Sequence, residues 1–277
     1  MLCMRTRKAN CHPRKSKKRK TCFEPSDLIL LRNEWNRKHP EHLIKSKNQS
    51  TILKQLDKYM TECNDDLCWT TLIEDSTTKK EITKRNFAAI HPTNWKKNQH
   101  EWLSNYDISN VLNQYKETYN DFDFIKPSPI DFDTKIGYKC VTEDICRLNL
   151  EDYTKKGIYK LAIPLNLDKH TGDGFHWVVL YIDLKRKFLY YFDSAKNKIP
   201  DEVDVLIDRL IQQTPTPLKR LNNQDKQHQQ GNTECGMYVL FFVISMLEGK
   251  SPEYFNKRII TDEEVFKCRS IYFNSEE

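Results

Sequence analysis

The chain has 277 residues, 38% hydrophobic and 30% charged, with a net charge of +6. That length is too great for a small stapled scaffold and suits one large domain, or a domain with an appended piece, around a sizeable core. The longest apolar run, Met237 to Leu247, is about half of the ~18 to 20 residues of a membrane span, and the expectation is a soluble intracellular protein.

Residues 1 to 20, "MLCMRTRKANCHPRKSKKRK", hold nine Lys or Arg and no acid, whereas the rest of the chain carries a slight excess of acid. Like charges repel and nothing apolar is there to bury, so residues 1–22 are expected to form a disordered basic tail. The tail reads either as a solubilising leader or as a nucleic-acid or nuclear-import segment, in which case Arg5 to Lys20 would bind DNA with an affinity that falls steeply as salt rises. Residues 23–98 then read as a helical arm. "PSDLILLRNEWNRKHP" offers Ser26 as N-cap and Leu28, Leu31 and Trp35 at helical spacing, and "STILKQLDKYMTEC" sets Ile52, Leu53, Leu56 and Met60 on one face. The polar stretch "TLIEDSTTKKEITKRNFAAIHPTNWKKNQH" reads as an irregular connection. The nine cysteines (3, 11, 22, 63, 68, 140, 146, 235 and 268) are odd in number, scattered and follow no secretory leader, so free thiols in a reducing compartment are expected. The pair in "CNDDLCW" is half of a zinc pattern with no matching second half, and no metal or cofactor is called for.

Residues 99–277 have an α+β pattern. "WLSNYDISNVLNQYKETY" predicts a turn and a helix striped by Ile108, Val111, Leu112 and Tyr115. "GIYKLAIPLN", "HWVVLYIDL" and "KFLYYFD" are β-branched and aromatic runs, the last two joined by a tight link. "EVDVLIDRLIQQ" returns to helical spacing, "TPTPLKRLN" reads as an edge strand, and residues 236–247 are apolar nearly all round, as in a helix buried at the centre.

Cys235 opens that helix in "QQGNTECGMYVLFFVISMLEG". A helix N-terminus leaves N–H groups unpaired and its dipole end positive, which favours an anion and hence a thiolate. A thiolate nucleophile needs a base, and the base an orienting group. His176 opens one strand and Asp193 closes the next, so both fall at adjacent strand ends. His170 and His228 are rival bases, with His228 expected as a solvated surface residue. Asp173 and Asp183 are rival orienters. Gln229, Gln230 and Asn232 supply neutral amide donors of the kind that stabilises an oxyanion, with the N–H of Cys235 or Gly236 as a second donor.

His-Trp at a strand start, Asp-Ser at the next strand end and Gln-x5-Cys-Gly opening an apolar helix, in the order His, Asp, Cys, resemble the adenovirus-protease and SUMO-protease superfamily of cysteine peptidases. Within it, "HWVVLYID", "YYFDSAKN", "NTECGMYVLFFV" and "RIITDEEVFKCR" are similar to segments of the polyprotein proteases of African swine fever virus and other large cytoplasmic DNA viruses. The resemblance covers residues 99–277. It implies a central mixed sheet with the catalytic cysteine at the start of a buried helix, beside an N-terminal helical arm. It also implies Cys235 as nucleophile, His176 as general base and acid, Asp193 as orienter, and Gln229, six before the cysteine, in the oxyanion hole. Asn232, where the African swine fever virus protein has Gln three before its cysteine, is the reserve.

The function implied is cleavage of structural polyprotein precursors after Gly-Gly or Gly-Xaa during virion maturation, in the virion and the host cytoplasm. Trp177 would bind substrate as a flat wall that leaves room only for glycine. The alternatives are an isopeptidase that removes SUMO or another ubiquitin-like protein, and an inactive nucleic-acid-binding protein on the same fold.

Overall fold

A computed structural model describes residues 9–15, 20–223 and 225–275. The chain forms two compact units, Met1–His91 with Ser270–Glu277, and Pro92–Arg269. No described helix is long and apolar enough to cross a membrane.

The first unit is built on α1 (Pro25–Lys38), α2 (Gln49–Tyr59) and α3 (Ser76–Asn86), with Ala89–Ile90 paired parallel to Phe273–Asn274. Leu28, Leu31 and Trp35 of α1 pack with Ile52 and Leu56 of α2, Ile82 of α3, Trp69 and Phe87. Glu24, not Ser26, is the N-cap of α1. Pro25 fits the first helical position, where no N–H is needed, and the Glu24 N–H donates to the Asp27 carboxylate at 3.0 Å. The other Asp27 contacts, Arg85 Nη2 at 2.5 Å and Asn86 Nδ2 at 2.8 Å, tie that cap to the end of α3. The segment expected to be irregular therefore contains a helix. Asp75 caps it through the Thr78 N–H at 2.7 Å, but only Ile82 and Asn86 of α3 are buried, so the sequence shows almost no apolar stripe.

Residues 1–8 and 16–19 of the expected tail lie outside the described residues. The described part is packed: Ala9, His12 and Lys15 are buried, the Ala88 N–H donates to Asn10 O, and Lys15 Nζ donates to Asn86 Oδ1 at 2.7 Å and to Glu24. Lys15 thus satisfies its charge inside the unit. The expectation of free thiols is also corrected. Cys11–Cys22, Cys63–Cys68 and Cys140–Cys146 are disulfides, with Cα atoms 5.1, 5.5 and 6.3 Å apart, within bridging range. Among the described residues Cys235 and Cys268 are free, and both are buried.

The second unit begins with α4 (Asn105–Lys116), capped reciprocally by Ser104 and Asp107. Its central sheet contains β1 (Phe122–Phe124), β2 (Lys160–Asn166), β3 (Trp177–Asp183), β4 (Phe188–Phe192) and β5 (Lys219–Asn222), in that spatial order. β1 runs parallel to β2, the pairs β2/β3 and β3/β4 are antiparallel, and β5 is parallel to β4. The mixed sheet and the edge strand agree with the sequence reading.

Both faces of the sheet are covered, which is why its strands read as continuous apolar runs instead of alternating ones. Leu161, Ile163, Val178, Leu180, Leu189 and Tyr191 pack against Val203, Leu206, Ile207 and Leu210 of α5 (Asp201–Gln212). On the opposite face lies α6 (Cys235–Leu247), whose Phe242 ring is 4.5, 5.0 and 6.1 Å from those of Phe192, Tyr190 and Tyr181. The last helix, α7 (Asp262–Tyr272), starts with a Thr261–Glu264 capping box.

Phe242 sits where three strand aromatics converge on the helix that carries Cys235. Replacing it with Ala should destabilise the protein by about 3–5 kcal/mol in urea unfolding. A loss well under 1 kcal/mol would show that α6 is not held by this cluster.

Candidate active site

His176 immediately precedes β3 and Asp193 immediately follows β4, and antiparallel pairing brings those two strand ends together. His176 Nε2 lies 2.6 Å from Asp193 Oδ1, with both residues buried, at 8% and 1% exposure. The carboxylate cannot turn away. Its Oδ1 also accepts the Ala195 N–H at 2.8 Å, and its Oδ2 accepts the backbone and side-chain N–H of Asn197, each at 3.0 Å. Asn223 clamps the backbone of the same residue, accepting the Asp193 N–H at 3.0 Å and donating to Asp193 O at 2.7 Å.

Cys235 is the first residue of α6 and is 2% exposed, and its thiol is one of the groups that act electrostatically on the His176 ring. An imidazole has two nitrogens, so with Nε2 on Asp193 its Nδ1 remains for a second partner. Burial alone would lower the His176 pKa. The Asp193 hydrogen bond and then the Cys235 contact outweigh it and raise the value to about 9. The structure thus bonds His176 to Asp193 and sets Cys235 beside the same ring.

Gly236 explains the Cys-Gly pair. A Cβ at this position would lie 2.9 Å from Leu103 Cβ, closer than real contacts allow, so the glycine lets the start of α6 approach residue 103. Leu103 also receives Trp177, whose Nε1 donates to Leu103 O at 2.9 Å. Trp177 is 8% exposed, so its ring is fixed in place.

Gln229 is buried and Asn232 exposed. The Gln229 amide is held at both ends: Ser194 Oγ donates to Oε1 at 2.7 Å, and Nε2 donates to Gly231 O at 3.0 Å. Asp262, at the start of α7, accepts the N–H groups of Gln230 and Gly231 at 3.0 and 2.8 Å, and Tyr238 Oη donates to its other oxygen at 2.9 Å.

The rivals are placed elsewhere. His228 corrects the surface expectation: it is fully buried, stacks on Phe192, accepts the Ile260 N–H at Nδ1, and its pKa is pushed down to about 4, chiefly by burial. His170 pairs with Asp131 at 2.6 Å. Asp183 accepts the Arg186 N–H in the β3–β4 link, where Lys187 has a φ of 57°, and Asp173 is exposed in its loop.

Sequence reasoning missed the supports of the site. Glu234, beside Cys235, is buried, and its carboxylate accepts Arg269 Nε at 2.8 Å and Nη2 at 3.0 Å. The guanidinium lies 4.5 Å over the Trp95 ring and donates through Nη1 to Glu101 O at 2.9 Å. Glu234 adjoins Cys235 in the sequence, but its partner lies 35 residues further on. Asn197 follows Asp193 by four residues in "DSAKN", and the Ala195 N–H bond to the Asp193 carboxylate two residues back is the turn that an Asp at a strand end signals.

Gly236→Ala should cost about 1–3 kcal/mol in urea unfolding, because α6 must move away from Leu103. An unchanged midpoint would show that the helix start has room for a methyl group.

The chain matches the sequence model of the Ulp1 protease family, C-terminal catalytic domain, over residues 106–277. It is 26% identical over 301 residues to a protein named as a thiol protease of Acanthamoeba polyphaga mimivirus, an alignment that spans 96% of this chain and 93% of the relative. It is 31% identical over 184 residues to a SUMO-1 cysteine protease of African swine fever virus, spanning 62% of this chain and 67% of the relative. Its fold is similar to the crystal structure of an African swine fever virus protease, with a TM-score of 0.73 at 22% identity over 97% of this chain and 96% of that one. The chain belongs to the Ulp1 protease family and is a cysteine protease.

Proposed function

We propose that the protein is a viral endopeptidase that cleaves structural polyprotein precursors after Gly-Gly or Gly-Xaa pairs during virion maturation, with Cys235, His176 and Asp193 as its catalytic residues. The observation that carries this reading is the reach of the viral likeness. The mimivirus relative aligns with 96% of the chain, including residues ahead of 106, where the family's catalytic-domain match begins.

In the proposed mechanism the Cys235 proton rests on His176 and the thiolate attacks the peptide carbonyl carbon. The carbonyl oxygen becomes an oxyanion held by the Gln229 amide and by the N–H of Cys235, which as the first helical residue has no preceding carbonyl of the helix to receive it. As the tetrahedral adduct collapses, the C–N bond breaks and the imidazolium protonates the leaving amine. A water then attacks the thioester, giving its proton to His176, and Cys235 leaves as thiolate. Asp193 keeps the ring oriented and stabilises its cation throughout. Trp177, pinned by Leu103 O, is the proposed rigid wall that admits glycine and rejects larger side chains.

The name of the African swine fever virus relative favours a second reading, removal of a SUMO-like protein. Cleavage of Gly-Gly-Xaa peptides that disappears in Cys235→Ala supports the endopeptidase. Activity confined to folded SUMO-like fusions would replace it with the isopeptidase.

Asp193→Ala should lower kcat about 10²- to 10⁴-fold with a much smaller change in KM. Wild-type turnover in that variant would remove Asp193 from the mechanism. The thiolate–imidazolium pair persists only while His176 keeps its proton, so the alkaline limb of kcat/KM should fall near pH 9. The same raised value adds stability that is fully present below the ordinary 6.5 and is lost as the pH rises through about 9. Residual activity of Asp193→Ala should show the limb at lower pH, because a contact that raises the His176 pKa is gone; a limb that stays in place would contradict the assignment.

A further inference from the structure

We propose that Ser194 is a positioning residue for the oxyanion hole, setting the Gln229 amide so that one Nε2 hydrogen faces the substrate carbonyl oxygen. The inference rests on the reading of Gln229 as the oxyanion donor. Ser194 directly follows Asp193 and is 1% exposed. Its carbonyl accepts the N–H groups of both His228 and Gln229, each at 2.9 Å, so the strand end that carries Asp193 is docked on the segment that carries Gln229. Its hydroxyl then donates to Gln229 Oε1 at 2.7 Å.

The direction of these bonds decides which end of the amide is which. The Gly231 carbonyl can only accept, so the Gln229 end 3.0 Å from it must be the NH2 group. Oε1 is then the end at Ser194, and the hydroxyl must donate to it. An NH2 group carries two hydrogens, of which Gly231 takes one and the other is left for a developing oxyanion. Without the hydroxyl, Oε1 would be buried and lose this partner, and the terminal side-chain torsion of glutamine is intrinsically broad. The donor would then be present but misaimed, a defect felt when the oxyanion forms and hardly before.

Kinetics of Ser194→Ala, Gln229→Ala and the double variant on one peptide substrate test this, together with the rate of Cys235 alkylation by iodoacetamide. Alkylation uses the thiolate but builds no oxyanion. Ser194→Ala should lower kcat roughly tenfold with KM within about twofold, and Gln229→Ala should lower kcat about 10²- to 10³-fold. The double variant should match Gln229→Ala within about twofold, because Ser194 acts through the amide that is no longer there. Alkylation should stay at the wild-type rate in Ser194→Ala.

Multiplying effects in the double variant, or alkylation that falls in step with kcat, would overturn the proposal and assign Ser194 to the Asp193–His176 pair. A crippled Gln229→Ala beside an unaffected Ser194→Ala would sink this inference alone. Wild-type kcat in Gln229→Ala would sink it along with the oxyanion assignment.

Discussion

The candidate site depends on the antiparallel pairing of β3 with β4. The register Asp183↔Phe188 to Val179↔Phe192 puts the residue before one strand and the residue after the other at the same end of the sheet, where they meet at 2.6 Å. A one-residue slip would turn every side chain of a strand to the opposite face, separating His176 from Asp193 and emptying both cores. The apolar layers that clamp the sheet between α5 and α6 therefore also fix the imidazole–carboxylate geometry. Stability and the proposed chemistry have a common origin here.

The thiol arrives by a different route. α6 crosses the opposite face of the sheet through Phe242, and its start is drawn onto residue 103 because position 236 has no side chain. Immediately before the cysteine, the buried Glu234–Arg269 pair anchors the turn that leads into the helix. Burying a charged pair gains little net stability, but removing one partner strands the other in a dry environment. That asymmetry holds the peptide preceding the proposed nucleophile in one place.

Much of this was legible in the sequence, where the physics is local. β-branched and aromatic runs announced β2, β3 and β4, an all-round apolar stretch announced α6, and a cysteine at its first residue pointed to a stabilised thiolate. His176 and Asp193 could be read as strand-end residues. Contacts that are long-range in sequence were not legible: Asn223 on Asp193, Ser194 on Gln229 and Arg269 on Glu234 leave no periodic trace. His228 looked solvated because its neighbours in "KQHQQG" are polar, yet the stacking with Phe192 buries it. α3 was missed because it buries so little, and the disulfides because three short-range pairs among nine cysteines look like scatter.

Covalent trapping asks whether Cys235 is the thiol activated by this histidine. A peptide ending in Gly-Gly whose C-terminal carboxyl is replaced by the Michael acceptor –CH=CH–CO2CH3 would be incubated with the wild type and with His176→Ala, and the thioether adduct mapped by mass spectrometry. A single adduct is expected, on Cys235, formed at least about 100-fold more slowly without His176. An adduct on Cys268, or equal labelling of Cys235 in both proteins, would contradict it.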